Sequence, residues 1–217
     1  MNPIGTAALD AASRVLLLGA HPDDIELGCG GTMLMLARRC PDLHVRWVVL
    51  SGTPERADEA RASAGAFLDG VADVEVVVHD FTDRFFPSEY RGLKQTVAAA
   101  GRDFAPDIVF THQRGDLHQD HRLVSELTLN AFRDHLILEY EIPKYDGDLG
   151  QPNVYVTLDR DAVHDKSTLL RKHYPSQHER DWFDEETFRA ILRLRGVECH
   201  AAGGFAEAFY GRKLRLL

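Results

Sequence analysis

Two clusters in this chain pair histidine with acid, and each follows a hydrophobic run. The first is His21-Pro22-Asp23-Asp24, after Val15-Leu16-Leu17-Leu18-Gly19-Ala20. The second is His118-Gln119-Asp120-His121, a short loop beyond Ile108-Val109-Phe110-Thr111. Imidazoles and carboxylates are the ligands that zinc, Fe(II), Mn(II) and Co(II) accept. Together the clusters offer a three-ligand shell with acid–base groups to spare. Such a shell leaves positions open for water and substrate, which is a catalytic arrangement rather than a structural one. Water near such a cation has its pKa lowered to about 7, where a nearby carboxylate can finish deprotonating it. The spare acid of the first cluster suits that task. A spare histidine opposite could steady an oxyanion or protonate a leaving amine. This is the equipment of a metal-dependent hydrolase.

The elements that must position these groups alternate. Residues 15–19, 45–50, 73–78 and 107–111 read as strands, the first a continuous apolar run suited to burial on both faces. Residues 28–39, 55–68, 89–102 and 121–132 read as helices between and after them. The alternation predicts an α/β fold, Rossmann-like, with a mostly parallel sheet flanked by helices. In open parallel sheets ligands bind at the C-terminal edge of the strands, where both clusters fall. Pro22 restricts His21 to an extended conformation. The chain is then expected to turn at Asp23-Asp24 and enter its helix past Gly28, while Asp120 is placed to start the later helix. A plain helix cap would account for one acid of the first cluster, not for a histidine and two acids.

After Leu136 the pattern changes. Residues 136–140 and 154–158 read as strands, 159–173 and 184–195 as helices, and 143–153 as a turn-rich loop. The expectation is one domain over 1–217, with about 137–217 a C-terminal extension that lines the site. Residues 141–153 could face substrate.

The residues Ala20-His21-Pro22-Asp23-Asp24, then Glu26-Leu27-Gly28-Cys29-Gly30-Gly31-Thr32, with the later His118-Gln119-Asp120-His121, resemble the PIG-L/LmbE-like metal-dependent N-deacetylases. The resemblance runs from about Arg14 to Tyr210. It implies removal of an acetyl or similar acyl group from an N-acetylglucosamine-type conjugate, usually with Zn2+, with Fe2+ or another divalent metal as alternatives. Carried over residue by residue, it makes His21, Asp24 and His121 the metal ligands and Asp23 the general base that activates water at the cation. His118 matches the histidine that steadies the oxyanion or acts as acid. Asp120 would orient a neighbouring histidine. Arg56 matches an arginine that in some members faces the acyl oxygen. Many members carry Glu where this chain has Ile25, with Glu26 one place later, so capping or bracing the turn, rather than touching substrate, are the roles open to Glu26. His178 and His200 lie in stretches that resemble the substrate-shaping part of the family, without an assigned role. An amidase of the same family acting on a non-sugar or thiol-conjugate amide is the alternative function, and self-association into a homo-oligomer is the expected assembly.

Other classes fit less well. Gly28-Cys29-Gly30-Gly31 is not GxGxxG, and Ser51-Gly52-Thr53 stands where a nucleotide fold would place an acid; a nucleotide- or SAM-binding enzyme would leave both clusters unexplained. Close helix–strand packing is the expected use of these glycines. A facial-triad Fe(II) oxygenase usually rides on an all-β barrel. With a net charge of −9 and no basic tract, a nucleic-acid partner is not expected. No run approaches the roughly 18 apolar residues of a membrane span, and residues 1–13 lack the pattern of a signal peptide. A cytoplasmic location is expected. Cys29, Cys40 and Cys199 are odd in number and form no CxxC pair, so neither a disulfide framework nor a zinc knuckle is expected.

Overall fold

A computed structural model describes residues 12–213. The amino-terminal stretch read as lacking a signal peptide falls mostly outside them. The described residues form seven strands and six α-helices. These are β1 (Arg14–Gly19), α1 (Asp24–Arg39), β2 (His44–Val49), α2 (Pro54–Phe67), β3 (Asp73–Val78), α3 (Tyr90–Arg102), β4 (Ile108–His112), α4 (Gln119–Ala131), β5 (Leu136–Tyr140), β6 (Val154–Leu158), α5 (Arg160–His173), α6 (Glu185–Glu198) and β7 (Phe205–Gly211). Single 3-10 turns span Phe86–Glu89 and Pro175–Gln177.

One sheet holds all seven strands in the order β3-β2-β1-β4-β5-β7-β6. The first five are mutually parallel, and β7 runs antiparallel to both β5 and β6. The chain leaves β1 toward β2 and β3, then returns to lay β4 on the other side of β1. That reversal makes the β1/β4 boundary the topological switch point, the crevice where open α/β sheets bind ligands.

Alternation along β1 divides the core. Val15 and Leu17 pack with Leu27, Met33, Phe67 and Leu170 on the face covered by α1, α2 and α5. Leu16 and Leu18 pack with Leu93, Val97, Val124 and Leu127 under α3 and α4. The expected helices on both faces are therefore present. The glycines of α1 serve close approach: a Cβ at Gly28 would overlap the Tyr140 ring, and one at Gly30 the Phe67 ring. Helix α1 thus lies tight on the sheet, with its first turn at the switch point.

Three local expectations are corrected. Helix α1 begins at Asp24 rather than past Gly28, because the left-handed turn at Asp23 (φ 96°) completes the change of direction within one residue. Helix α4 begins at Gln119, and its N-cap is His118, whose Nδ1 accepts from the Asp120 amide at 3.3 Å. Strand β7 was not anticipated. Its alternation is masked by Glu207, which is buried rather than exposed, accepting from the Gly31 and Thr32 amides and from Lys166 at 2.7 Å. The three cysteines are free.

Candidate functional site

Adjacent strands β1 and β4 bring the two clusters together. His21 follows β1 by two residues, and His118 and His121 sit at the start of α4, reached from β4. His21 Nδ1 and His121 Nε2 are 3.1 Å apart. Asp24 presents Oδ2 3.4 Å from His21 Nδ1 and Oδ1 3.4 Å from His121 Nε2. Ligands bound at 2.0–2.1 Å to one tetrahedral cation lie about 3.4 Å apart. Asp24 meets the two imidazoles with different oxygens, and the sets with one donor atom per residue all within 4.8 Å of one another here are Asp24, His112 and His121, and His21, His118 and His121.

The electrostatics fit as well. Burial would raise the Asp24 carboxyl, but His121 and His112 hold it well below the ordinary carboxylate range. Burial, then His112, lowers His121 to about 4, leaving it neutral and able to ligate. His21 behaves oppositely. Burial opposes its charge, yet Asp120, Asp24 and Asp83 together raise its pKa well above the usual value. Within the cluster the three carboxylates thus favour positive charge at His21.

Each candidate histidine ligand is oriented from behind. Asp116 Oδ2 is 2.9 Å from His121 Nδ1, and Asp120 Oδ2 is 3.2 Å from His21 Nε2. This is the carboxylate–histidine arrangement that fixes ring orientation at metal sites. Asp120 also accepts from the backbone amides of Arg84 (2.6 Å) and Phe86 (3.3 Å), which ties down the loop after β3. Lys144 reaches Asp116 at 3.1 Å, so residues 141–153 brace the same shell.

Asp116 and His112 were not singled out from the sequence. His112, wholly buried at the end of β4, stacks on His121 with ring centroids 4.0 Å apart. Its Nε2 accepts from the Ala20 amide at 3.0 Å and lies 3.2 Å from Asp24 Oδ2. The strand was read as ending at Thr111; one residue more would have placed a histidine at the sheet's C-terminal edge. Asp116 had no comparable signal, because its partner His121 is reached only through the loop's geometry.

Asp23 is 6 % exposed, beside the ligand cluster, in the left-handed backbone region that non-glycine residues rarely adopt. Burial lifts its carboxyl to about 7, against the pull of Arg56. Arg56 Nη2 donates to Asp23 Oδ2 at 3.1 Å and to the Pro22 carbonyl. Its Nη1 donates to Glu59 Oε2 and Ser176 Oγ, each at 3.0 Å. Four of its five N–H groups are thus engaged within the protein. Arg56 clamps Asp23; the geometry leaves little of it to face an acyl oxygen.

His118 stands over the cluster, its ring centroid 4.6 Å from that of His121 and 5.0 Å from that of His21. Burial, then His21, lowers its pKa, favouring the neutral ring. His21, Asp23, Asp24, Arg56, His118 and His121 border a cavity of about 530 Å³, walled further by Phe81, Lys144, Tyr145 and Trp182. Glu26 points away from it, fully buried, accepting from Tyr174 Oη at 2.5 Å, with burial raising its pKa to about 7. It links α1 to the segment after α5 through Tyr174. His178 donates from Nε2 to the Arg171 carbonyl at 2.7 Å, and His200 sits in a left-handed turn; neither lines the cavity.

The family model described as PIG-L: GlcNAc-PI de-N-acetylase matches residues 16–132, just over half of the chain and both clusters. The chain belongs to the PIG-L family. The uncharacterized deacetylase YaiS of Escherichia coli strain K12 is 28 % identical over 184 residues, covering 78 % of this chain and 97 % of the relative. The structure of N,N'-diacetylchitobiose deacetylase from Pyrococcus horikoshii superposes with a TM-score of 0.73 at 21 % identity, over 95 % of this chain and 86 % of that one. Teicoplanin deacetylase Orf2, in a zinc-inhibited form, gives 0.69 at 16 %, over 91 % and 97 %. GalB, the 4-carboxy-2-hydroxymuconate hydratase of Pseudomonas putida KT2440, gives 0.74 at 18 %, over 94 % and 98 %. The structural likenesses establish the α/β fold. That a hydratase shares it shows that the fold does not choose the reaction. Among the described residues, no helix is long and apolar enough to cross a membrane.

Proposed function

We propose that this PIG-L family member is a metal-dependent hydrolase that removes an acetyl or similar acyl group from the amide nitrogen of an N-acetylglucosamine-type conjugate. The observation that carries the reading is the spacing of His21, Asp24 and His121, 3.1–3.4 Å apart, directly beside buried Asp23. These three would hold the cation, zinc or a related divalent metal. Bound there, a divalent cation would polarise the acyl carbonyl and acidify a water beside it.

The chain's own groups carry the proton and the charge. Asp23 accepts the proton of the attacking water. A carboxyl near 7 suits a general base working at neutral pH, and the Arg56 clamp holds it toward the water. As the water oxygen bonds to the carbonyl carbon, negative charge collects on the former carbonyl oxygen. His118, neutral and on the cavity side, donates an N–H to that oxygen. Collapse breaks the C–N bond, and protonated Asp23 returns its proton to the leaving nitrogen, giving the free amine and a carboxylic acid that loses its proton to solvent. Asp116 and Asp120 keep His121 and His21 aligned.

An amino-sugar substrate is supported by the cavity's walls, which include Trp182, Tyr145 and Phe81 as well as Asp80 and Asp146. Aromatic faces can take a sugar's C–H surface while carboxylates accept its hydroxyls. YaiS, the chitobiose deacetylase and the teicoplanin deacetylase carry deacetylase names, in line with the reading. The test is a panel of N-acetylated amino sugars, assayed for primary-amine release after chelation and metal restoration. Metal-dependent release from at least one member is expected. Release from none, with release from non-sugar or thiol-conjugate amides, would replace the sugar reading by the amidase reading.

A further inference from the structure

We propose a second divalent-cation site in the same cavity, formed by His21, Asp83, His118 and Asp120, with Asp83 and Asp120 gathered at Nε2 of the His21 ring. One donor atom from each of the four residues lies within 4.8 Å of all the others. His21 Nε2 is 3.0 Å from Asp83 Oδ1 and 3.2 Å from Asp120 Oδ2, again near the spacing of donors around one small cation. The first cluster uses Nδ1 of the same ring, 3.1 Å from His121. His21 therefore meets His121 at one ring nitrogen and the two carboxylates at the other, with His118 within reach of both groups.

The fold holds this second set in place. Asp83 lies on the loop after β3, and that loop is fastened to Asp120 itself by the amides of Arg84 and Phe86. Arg84 adopts a left-handed backbone (φ 68°) beside that anchor. Asp83 is thus tethered to the carboxylate with which it would share the cation. The two acids and two imidazoles suit zinc or a similar borderline cation.

The second site is the weaker of the two. The Asp83 side chain is 58 % exposed, Asp120 already accepts two backbone amides, and His118 must give up its bond from the Asp120 amide to offer a lone pair. Binding at His21 Nε2 displaces the ring proton shared with Asp120, which passes to solvent. It also draws in His118. Where the hydrolase reading above holds, excess cation therefore inhibits; the site itself does not depend on that reading.

The experiment is equilibrium dialysis of the chelated full chain against Zn2+ alone, with the bound metal counted. Wild type is expected to take two equivalents, the second about tenfold or more weaker. Asp83→Ala and His118→Ala are each expected to retain the tight equivalent and lose the weak one, with unchanged circular dichroism. One equivalent in wild type, or two in both variants, would overturn the proposal. Because stoichiometry is the readout, inactivity on every amide tested leaves the result standing. On an active substrate, inhibition by excess Zn2+ should be relieved in Asp83→Ala.

Discussion

Arg56 reaches Asp23 with Nη2 at 3.1 Å and Glu59 with Nη1 at 3.0 Å, so one guanidinium links the carboxylate beside the ligand cluster to helix α2 and, through Ser176, to the segment after α5. A planar fork can do this; a point charge cannot. Arg56→Lys should leave metal content unchanged and lower kcat by about 10- to 100-fold, since a small misplacement of a catalytic group costs on that order. Metal analysis beside steady-state kinetics would check it, and an unchanged kcat would remove Arg56 from the positioning of Asp23.

Asp23→Ala removes the proposed base without removing a candidate ligand. Turnover should fall by about 10²- to 10⁴-fold while the bound metal is retained. Near-normal turnover in the metal-loaded variant would overturn the assignment of Asp23.

Asp116 touches His121 from behind, at 2.9 Å. Asp116→Ala should weaken metal affinity by about 10- to 100-fold, the usual cost of losing such a partner. Competition with a chromogenic chelator would measure the change. No change would mean that His121 is oriented by packing on His112 alone.

Gly28 lies where α1 meets Tyr140, whose hydroxyl donates to the Leu18 carbonyl at 2.6 Å. Gly28→Ala must push the ring or the helix away. A loss of about 1–3 kcal/mol is expected from overpacking, read as a lower denaturant midpoint. A midpoint equal to wild type would show that the ring yields freely.

Lys166 and Glu207 form an ion pair at 2.7 Å, each side chain 2 % exposed. Lys166→Met would strand the Glu207 carboxylate in the core, at a cost of about 3–5 kcal/mol. Equilibrium unfolding gives the number, and a loss below about 1 kcal/mol would mean that the Gly31 and Thr32 amides suffice for Glu207.

How much was legible differs between the parts of the chain. β5 and β6 fall on the residues read as strands, and β1 to β4 within a residue or so, because continuous apolar runs between turn residues have few other uses. β7 escaped because its central glutamate is buried against Lys166, a partner 41 residues away that periodicity cannot reveal. The glycines of α1 were readable as packing residues, though not which rings they meet. His178 and His200 drew attention by type alone and stand outside the cavity.

By itself the sequence determined the candidate reaction equipment and its rough place: two histidine–acid clusters, each after a buried strand of a parallel sheet. Ligand chemistry is a property of residue type, and the sheet edge follows from strand order along the chain. The tertiary structure decided the distances and the partners. Only the return of β4 beside β1 brings His21, Asp24 and His121 within 3.4 Å of one another. Only the packed loops put Asp116 behind His121, Arg56 on Asp23 and Asp83 on His21. Those contacts join residues up to a hundred positions apart, where local pattern carries no information and the geometry of the whole sheet does.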